Sequence, residues 1–431
     1  MRRQGTLALA MLLAGCGGRL VPPSEPHSAP ATRDNDSRPY VRPAARPTLP
    51  VRQPIAATPI AARAYISLPG ATTAAMAGVV AGPPIPTLPL TPETAGAALA
   101  SFRASCPSLL RRVDASGLSR ADDWRPACAA AATTGPADAV AFFARWFEAV
   151  QVGDGRAFAT GYYVPELAAS LDRRPGYDTP IRARPDNLID VDLGQFSEAL
   201  KGKKVRGRVQ GKALVPYYDR AAIDGGALGD DAPVLAWAAD PVEAFFLQVQ
   251  GSGVLRLPDG RVLRVGYDSQ NGRDYTGIGA LMRSRGLLAP GQASMQGIVR
   301  YLHDHPDEGR RLMDENKSYV FFRPLSGDAV GALGLPVVGG VSAAVDPRFV
   351  PLGAPVFLSM DRTDATALWM AQDTGGAIKG ANRFDTFWGT GDAAAAIAGG
   401  MSAHGTAFVL LPVGTLARLE GESDGGAAAR R

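Results

Sequence analysis

Two carboxylates lie close together in a glycine-rich stretch near the end of the chain, AQDTGGAIKGANRFDTFWGTGD. Asp373 and Asp385 are twelve residues apart, and Lys379 and Arg383 lie between them. Glycines let the backbone adopt positive φ angles and approach a ligand closely. A carboxyl group that aromatic side chains shield from water has a raised pKa, as general acid–base catalysis requires. A solvated Asp- and Gly-rich turn would use the same residues, and this stretch alone leaves both interpretations open.

Short apolar segments predict the strands that position these carboxylates. We expect strands at 337–345, 355–360, 367–373 and 406–412, and a small helix at about 392–399. The first of these strands ends beside a third carboxylate, Asp346. Short strands joined by tight turns rich in Gly and Pro are typical of a small β-barrel.

The preceding part of the chain divides into a helical and a β-rich region. Residues 94–152 are predicted to be helical, including 136–152, and 293–315 form two helices divided at Pro306. Residues 175–290 are predicted to be β-rich, with a strong strand at 244–249 and a polar stretch, GYDSQNGRDYTGIG, at 266–279. That stretch suits a neutral polyhydroxylated ligand, or it forms unspecialised loops. Tyr162 and Tyr163 are either core residues or a stacking floor for sugar rings.

Charge and residue usage exclude several classes of function. The formal net charge is +4, and the one basic run, KGKKVRGR at 201–208, favours a solvated loop or hairpin over a nucleic-acid site. Four histidines, two of them paired as His303 and His305, argue against a catalytic triad and supply no third metal ligand. We therefore expect no metal and no cofactor. Cys106 and Cys128, 22 residues apart, are predicted to form a disulfide in an oxidising compartment.

The N-terminal segment predicts export and membrane attachment. Residues 1–16 have the layout of a secretory signal, and LAGC resembles the bacterial lipoprotein processing box, in which Cys16 becomes lipidated. Gly17 at the next position favours the outer membrane. Sixteen of the 35 prolines lie between residues 22 and 92, so 17–93 is expected to be a disordered tether. Residues 416–431 are expected to be a frayed tail.

Most of the remaining chain, from about residue 160 to 412, resembles the membrane-bound lytic murein transglycosylase A family. Its C-terminal part is similar to the three-aspartate domain of that family. One position departs from the family pattern, because Ala222 stands where a glutamate is usual. The resemblance rests on these segments in order: TGYYVPEL, LIDVDLGQF, VPYYDRAAI, FFLQVQGSG, VGYDSQNGRDYTGIG, NKSYVFFRP, AVDPRFVPLGAPVFL, AQDTGGAIKG and RFDTFWGTG.

The resemblance implies a mainly β fold with peripheral helices. A double-psi β-barrel domain would be built from 94–175 and 312–415, with the three-aspartate domain at about 336–412. A second, barrel-like β domain at 176–311 would be inserted into it, and the glycan strand would lie in the groove between them. The expected location is the periplasmic face of the outer membrane, anchored through acylated Cys16.

The resemblance also implies the reaction. A lytic transglycosylase, a carbon–oxygen lyase acting on a polysaccharide, cleaves the β-1,4 bond between N-acetylmuramic acid and N-acetylglucosamine in peptidoglycan and leaves 1,6-anhydromuramic acid ends. Asp385 would be the single catalytic acid and base, assisted by Asp373 and Asp346, in an apolar pocket to which Phe384, Phe387 and Trp388 contribute. The expected substrate contacts are Tyr162, Tyr163, Gln250, Ser252, Gly253, Asn271 and Lys379.

Expected partners are peptidoglycan glycan strands, outer-membrane lipid and cell-wall synthesis complexes, and no nucleic acid. A different class of function, a non-catalytic lipoprotein that binds peptidoglycan, would use the same groove and tether. The three aspartates together favour catalysis, because binding a neutral sugar chain does not need them.

Overall fold

A computed structural model describes residues 54–65, 70–229, 232–288 and 294–428, without the side chains of 423–428. The signal segment, Cys16 and the first part of the tether lie outside the described residues. The helices are α1 (Ala74–Ala77), α2 (Pro92–Leu109), α3 (Ala121–Thr133), α4 (Ala139–Trp146), α5 (Arg220–Asp224), α6 (Pro241–Gln250), α7 (Ile278–Ser284), α8 (Met295–Asp304), α9 (Pro306–Asp314), α10 (Gly391–Ala398) and α11 (Thr415–Ala428).

The strands belong to three sheets. They are β1 (Val79–Ala81), β2 (Phe147–Val152), β3 (Arg156–Val164), β4 (Glu166–Ser170), β5 (Thr179–Arg182), β6 (Ile189–Asp192), β7 (Lys204–Gln210), β8 (Ala213–Pro216), β9 (Val234–Ala238), β10 (Ser252–Arg256), β11 (Val262–Gln270), β12 (Val320–Leu325), β13 (Ser342–Val345), β14 (Pro355–Met360), β15 (Ala367–Asp373), β16 (Arg383–Thr390) and β17 (Ser402–Pro412).

The main sheet has eight strands in the order β1-β2-β17-β14-β15-β13-β16-β3. β3 pairs with β17 as well as with β16, so the pairings run through six strands and return to β17. The largest hydrophobic core lies between this sheet and helices α2 to α4, where Phe102 and Phe147 meet edge to face at 5.2 Å between ring centroids. The protein is thus a mixed α and β fold with extensive sheet.

A second sheet, β12-β11-β10-β4-β9-β5, and a small sheet, β6-β7-β8, form the middle of the chain. β4 and β12 belong to this second sheet, whereas their residues fall within the ranges predicted for the β-barrel domain, 94–175 and 312–415. The middle unit therefore extends beyond the predicted 176–311 at both ends. The reason is β10, which pairs with β4 in parallel and so draws residues 166–168 away from the main sheet.

Two local predictions were wrong, and burial on both sides explains each error. Residues 147–152 form strand β2 instead of continuing the helix, and both neighbours, β1 and β17, hydrogen-bond to it. Residues 244–249 lie in helix α6, not in a strand. α6 packs on the second sheet through Ala244 and Leu247 and on a helical cluster through Phe245 and Phe246. An element buried on two sides shows neither helical nor strand periodicity.

The signals that begin and end α6 are nevertheless present in the sequence. Asp240 accepts hydrogen bonds from the backbone N–H groups of Val242 and Glu243, and Pro241 occupies the first helical position. Gly251 ends the helix with a φ of 79°, as a left-handed residue at a helix end. The two-helix prediction for 293–315 agrees with α8 and α9, which meet at Pro306.

The ranges predicted for the disordered tether, 17–93, and the frayed tail, 416–431, both include folded residues. Within the tether, β1 pairs with β2, and the N–H of Ile60 donates to the Ser359 hydroxyl at 2.8 Å. Residues 415–428 form α11 instead of a frayed end, with Leu416 and Leu419 buried and Arg418 bonded to Asp123 at 2.8 Å. Extended Pro-rich chain needs few backbone partners, so it can lie along a folded surface as well as remain disordered.

Within the described residues, we find no helix with the length and apolarity needed to cross a bilayer.

A disulfide joins Cys106 at the end of α2 to Cys128 in α3, with Cα atoms 5.7 Å apart. Both cysteines are buried in the main core.

We predict that Cys106→Ala/Cys128→Ala lowers the free energy of unfolding by about 3 kcal/mol, because a closed loop of this length restricts the unfolded chain. Denaturant unfolding of the oxidised protein and the variant measures the difference. A reductant should weaken the native protein and leave the variant unchanged; equal stability of the two oxidised proteins would contradict the prediction.

Candidate active site

Three neighbouring strands of the main sheet carry the three aspartates. Asp385 lies within β16, paired with Ala344 of β13 on one side and Thr160 of β3 on the other. Asp373 is the last residue of β15, and Asp346 directly follows β13. Since β13 pairs with both β15 and β16, the sheet brings these three segments together.

Asp385 is half-buried, and one of its two carboxyl oxygens accepts a hydrogen bond. The Thr160 hydroxyl donates to its Oδ1 at 2.7 Å, and the Arg383 guanidinium donates to the Thr160 oxygen at 2.8 Å. Because a guanidinium can only donate, Thr160 must direct its single proton toward Asp385. No described residue hydrogen-bonds the other oxygen, Oδ2, which therefore remains available to a substrate.

Burial raises the pKa of Asp385 to about 6. The Thr160 hydrogen bond and the positive charge of Arg383 oppose the rise, and the charge of Asp373 adds to it. The opposing cation is therefore Arg383. A carboxyl group with this pKa carries a proton in an appreciable fraction of molecules near neutral pH, as a general acid must.

Asp373 is fixed by hydrogen bonds to both of its oxygens. Tyr162 donates its hydroxyl to Oδ2 at 2.8 Å, and the N–H groups of Ala332 and Thr374 donate to Oδ1 at 3.0 and 2.8 Å. Burial raises its pKa, and these three hydrogen bonds oppose the rise. The preceding residue, Gln372, anchors the strand because its buried amide donates to the Ser105 hydroxyl of α2 at 2.9 Å. Asp373 thus has a fixed orientation and no free oxygen.

Asp346 is almost fully buried and forms a different kind of site. Arg348 donates to both of its oxygens, at 3.0 and 2.6 Å, and the N–H of Gly380 donates at 2.9 Å. Burial would raise its pKa, but Arg348 and the N–H groups of Gly380 and Arg348 hold the pKa below its usual value. Asp346 therefore stays ionised and ties the loop that connects β15 and β16 to the end of β13. Lys379, in that loop, is exposed, and its side chain makes no hydrogen bond with any described residue.

The predicted aromatic pocket consists mainly of Phe387 and Tyr162. Phe387 is two residues from Asp385 and shares its face of β16, and its ring centroid lies 5.0 Å from that of Tyr162. Phe384 points into the main core on the opposite face. Trp388 packs on Trp369 at 5.5 Å and donates its N–H to Thr386. Tyr162 thus holds Asp373 and shields the site.

Three expected substrate contacts lie where α6 and β10 of the second unit meet β3. Gln250, at the end of α6, accepts from the N–H of Tyr163 at 3.0 Å, which joins the second unit to β3. Burial, with the nearby charges of Glu243 and Asp392, raises the pKa of Tyr163 to about 12. Ser252 begins β10 and is half-buried.

Two expected substrate contacts have structural roles instead. Asn271 is 0% exposed, and its amide donates to the carbonyl oxygens of Tyr218 and Lys317 at 2.9 and 2.8 Å. Its oxygen accepts from the N–H of Tyr319 at 2.9 Å, so no group remains for a glycan. Gly253 is buried, and a Cβ atom there would lie 2.3 Å from the Leu247 side chain. A polar motif such as the one that contains Asn271 can thus serve to satisfy buried backbone groups.

Thr160 is the contact that the sequence analysis missed. It lies 225 residues from Asp385 in the chain, and only the parallel pairing of β3 with β16 brings the two together. Tyr275 lies in the loop after β11. Burial and the charge of Asp385 raise its pKa. Among the described residues, no group of three or more His, Cys, Asp or Glu side chains could hold a metal ion.

Comparison with known proteins identifies both parts of the chain. A family model described as "MltA specific insert domain" matches residues 158–323, and one described as "3D domain" matches residues 341–411. The first of these ranges begins within β3 of the main sheet and ends within β12 of the second sheet, so it extends beyond the predicted 176–311 at both ends.

Relatives match over most of the folded chain. Membrane-bound lytic murein transglycosylase A of Escherichia coli is 32% identical over 268 residues, which cover 59% of this chain and 66% of that protein, slightly under two thirds of its length. The crystal structure of MltA from Neisseria gonorrhoeae is 33% identical with a TM-score of 0.63, and 85% of this chain covers 98% of that one. A membrane-bound lytic murein transglycosylase from Agrobacterium tumefaciens is 30% identical with a TM-score of 0.68, covering 79% and 99%. This chain therefore belongs to the membrane-bound lytic murein transglycosylase A family.

Proposed function

We propose that this protein is a lytic transglycosylase that cleaves the β-1,4 bond between N-acetylmuramic acid and N-acetylglucosamine in peptidoglycan. The observation that carries the proposal is Asp385, a half-buried carboxyl with a pKa near 6 and one uncommitted oxygen. Ordinary glycosidases need two carboxyl groups, because one acts on the leaving oxygen and the other on water or on the sugar. A single carboxyl suffices when the nucleophile belongs to the substrate.

In the proposed reaction, Asp385 gives its proton from Oδ2 to the glycosidic oxygen as the C1–O bond breaks. The C6 hydroxyl of the same N-acetylmuramic acid attacks C1 and forms the 1,6-anhydro ring. The proton of that hydroxyl passes to the Asp385 carboxylate, which restores the starting state. Thr160 keeps Oδ1 as a hydrogen-bond acceptor throughout, so that Oδ2 is the oxygen that gains and loses the proton.

Asp373 and Asp346 have supporting roles in this proposal. Asp373, held by Tyr162 and two N–H groups, raises the pKa of Asp385 through its charge and fixes one wall of the site. Asp346 positions the loop between β15 and β16 through Gly380. Neither has a free oxygen in the described part of the chain, which supports a one-carboxyl mechanism.

We also propose that the ring of six paired strands is a double-psi β-barrel and that the glycan strand lies between it and the inserted unit. Tyr275 and Gln250 of the inserted unit approach the site from that side, which supports the groove. We propose attachment to the outer membrane through acylated Cys16, supported by the LAGC sequence and by relatives that are named membrane-bound.

Asp385→Asn tests the catalytic assignment. An amide cannot donate a proton to the leaving oxygen and then recover one, so we expect release of anhydromuropeptides from purified sacculi to fall at least about a thousandfold. Mass analysis of the soluble products measures it, and circular dichroism checks the fold. Asp122→Asn, which changes an exposed carboxylate of α3, should keep full activity. Full activity of Asp385→Asn would exclude the assignment, and reducing ends in place of anhydro ends would make the protein a hydrolase.

The pKa of Asp385 predicts the pH dependence of the reaction. The acid form is the active one, and its fraction falls as the pH rises through about 6. We therefore expect kcat/KM on soluble glycan strands to be flat below that value and to fall about tenfold per pH unit above it. A rate that rises between pH 6 and 8 would contradict the role of Asp385 as an acid.

Thr160→Val tests the hydrogen bond to Asp385. Because that bond lowers the pKa of Asp385, its loss should move the falling limb of the pH profile to higher pH. The carboxyl also loses its fixed orientation, so we expect the rate on the acidic plateau to fall about tenfold. Thr160→Ser keeps the hydroxyl and should keep the pH limb of the unsubstituted protein. A Thr160→Val profile with an unmoved limb would show that the bond does not set the pKa.

A further inference from the structure

The small sheet of β6, β7 and β8 has one face made of exposed aliphatic side chains. In an antiparallel pair, residues opposite each other share a face. Val205 is opposite Val191, and Val209 is opposite Leu214. Since side chains alternate along β7, these four residues lie on the same face. The exposed fractions are 42% for Val205, 62% for Val209 and 46% for Leu214, far above those of core residues.

The opposite face of the small sheet is turned toward the rest of the inserted unit. Arg206 bonds to Asp190 across the strands and donates to the carbonyl of Gln270 at 3.3 Å. The Arg208 guanidinium lies over the Tyr218 ring at 4.2 Å from its centroid. These contacts fix the orientation of the sheet, so the aliphatic face is presented outward.

Lysines are concentrated at the ends of this sheet. Four of the six lysines of the chain lie between residues 201 and 212, although 45 residues are Lys or Arg. Lys203 and Lys212 are exposed, and their ammonium groups make no hydrogen bond or ion pair with any described residue. Lys204 alternates with Val205 along β7 and so starts on the opposite face, with Arg206. The segment 189–216 carries six basic and three acidic side chains, an excess of positive charge. Phe196, 76% exposed, lies in the connection between β6 and β7.

We propose that this face docks on an anionic phospholipid surface, as a second point of membrane contact besides the acyl anchor. The aliphatic side chains and Phe196 would enter the headgroup boundary, and the lysines would keep their ammonium groups among the lipid phosphates. A neutral glycan would not need the lysines, and a nucleic acid would not need the aliphatic face. The inference that this face binds lipid depends on the proposed membrane attachment. The existence of the exposed aliphatic face depends only on the strand pairing and the exposed fractions of its side chains.

Vesicle co-sedimentation tests the proposal with the chain from residue 17 onward, which has no acyl anchor and keeps every described residue. The vesicles contain equal parts of phosphatidylethanolamine and phosphatidylglycerol, and phosphatidylcholine vesicles are the uncharged comparison. We expect clear binding to the anionic vesicles only. Lys203→Gln/Lys212→Gln should weaken it at least tenfold, since each lysine near an anionic surface contributes about fivefold. Val209→Ser/Leu214→Ser should weaken it about threefold or more.

Matched substitutions elsewhere provide the controls. Arg111→Gln/Arg112→Gln removes the same charge from an exposed region, and Val113→Ser/Val413→Ser removes two valines that are 90% and 62% exposed. Both should bind within twofold of the unsubstituted chain. No binding to anionic vesicles, or equal loss in the controls, would overturn the proposal.

Two further measurements distinguish lipid from a glycan strand and from a second copy of the chain as the ligand of this face. Cleavage of soluble glycan strands should be unchanged in the lysine and Val209/Leu214 variants, so failure of vesicle binding is distinguishable from failure of the proposed activity. Reduced cleavage in these variants would assign the face to the glycan groove and overturn the lipid proposal. A dimer in sedimentation velocity that the Val209→Ser/Leu214→Ser change abolishes would assign it to a second copy of the chain, with the same consequence.

Discussion

The parallel pairing of β3 with β16 is the interaction on which the candidate site depends. It places Thr160 beside Asp385 and Tyr162 beside Phe387 in the register of the two strands. The first contact orders one oxygen of Asp385, and the second forms the apolar wall that keeps water away from it. Because β3 also pairs with β17, it is held on both sides. The geometry of Asp385 is therefore a property of the sheet and not of the loop that precedes it.

The three aspartates differ because their surroundings differ. Asp346 is paired with Arg348 and stays ionised, and Asp373 is fully hydrogen-bonded but desolvated. Asp385 is desolvated with a single hydrogen bond. A carboxyl pKa follows the balance between burial, which disfavours the charge, and donors, which favour it. That balance leaves Asp385 as the group with both a pKa near 6 and an uncommitted oxygen, as a single acid and base requires.

The inserted unit contributes to the site at its edges. Gln250 accepts a hydrogen bond from the N–H of Tyr163, and the charge of Asp385 contributes to the raised pKa of Tyr275. Gln250 and Tyr275 belong to the inserted unit, whereas Tyr163 and Asp385 belong to the main sheet. Neither unit therefore forms the surroundings of Asp385 alone. Asn271, although it belongs to the most polar motif of the chain, satisfies buried carbonyl groups that link the loop after β11 to the start of β12. Such a residue supports the loop after β11 and has no polar group left for a ligand.

The sequence by itself determined the family, the reaction class that the family implies and the stretch that contains Asp373 and Asp385, because motif order and residue type are local properties. It also determined the strands at 355–360 and 367–373 and the two helices that meet at Pro306, which their apolar runs and proline mark. It did not determine β2 or α6, since elements buried on two sides lose their periodicity. Nor could it predict that residues 70–93 pack against the main sheet.

Tertiary structure alone decided which polar residues face the site. The register between β3 and β16 places Thr160 beside Asp385, although the two residues are 225 positions apart in the chain. No local sequence pattern encodes the register between distant strands. Whether an Asn or Asp is free or saturated likewise depends on which buried backbone groups it meets, and these come from distant parts of the chain.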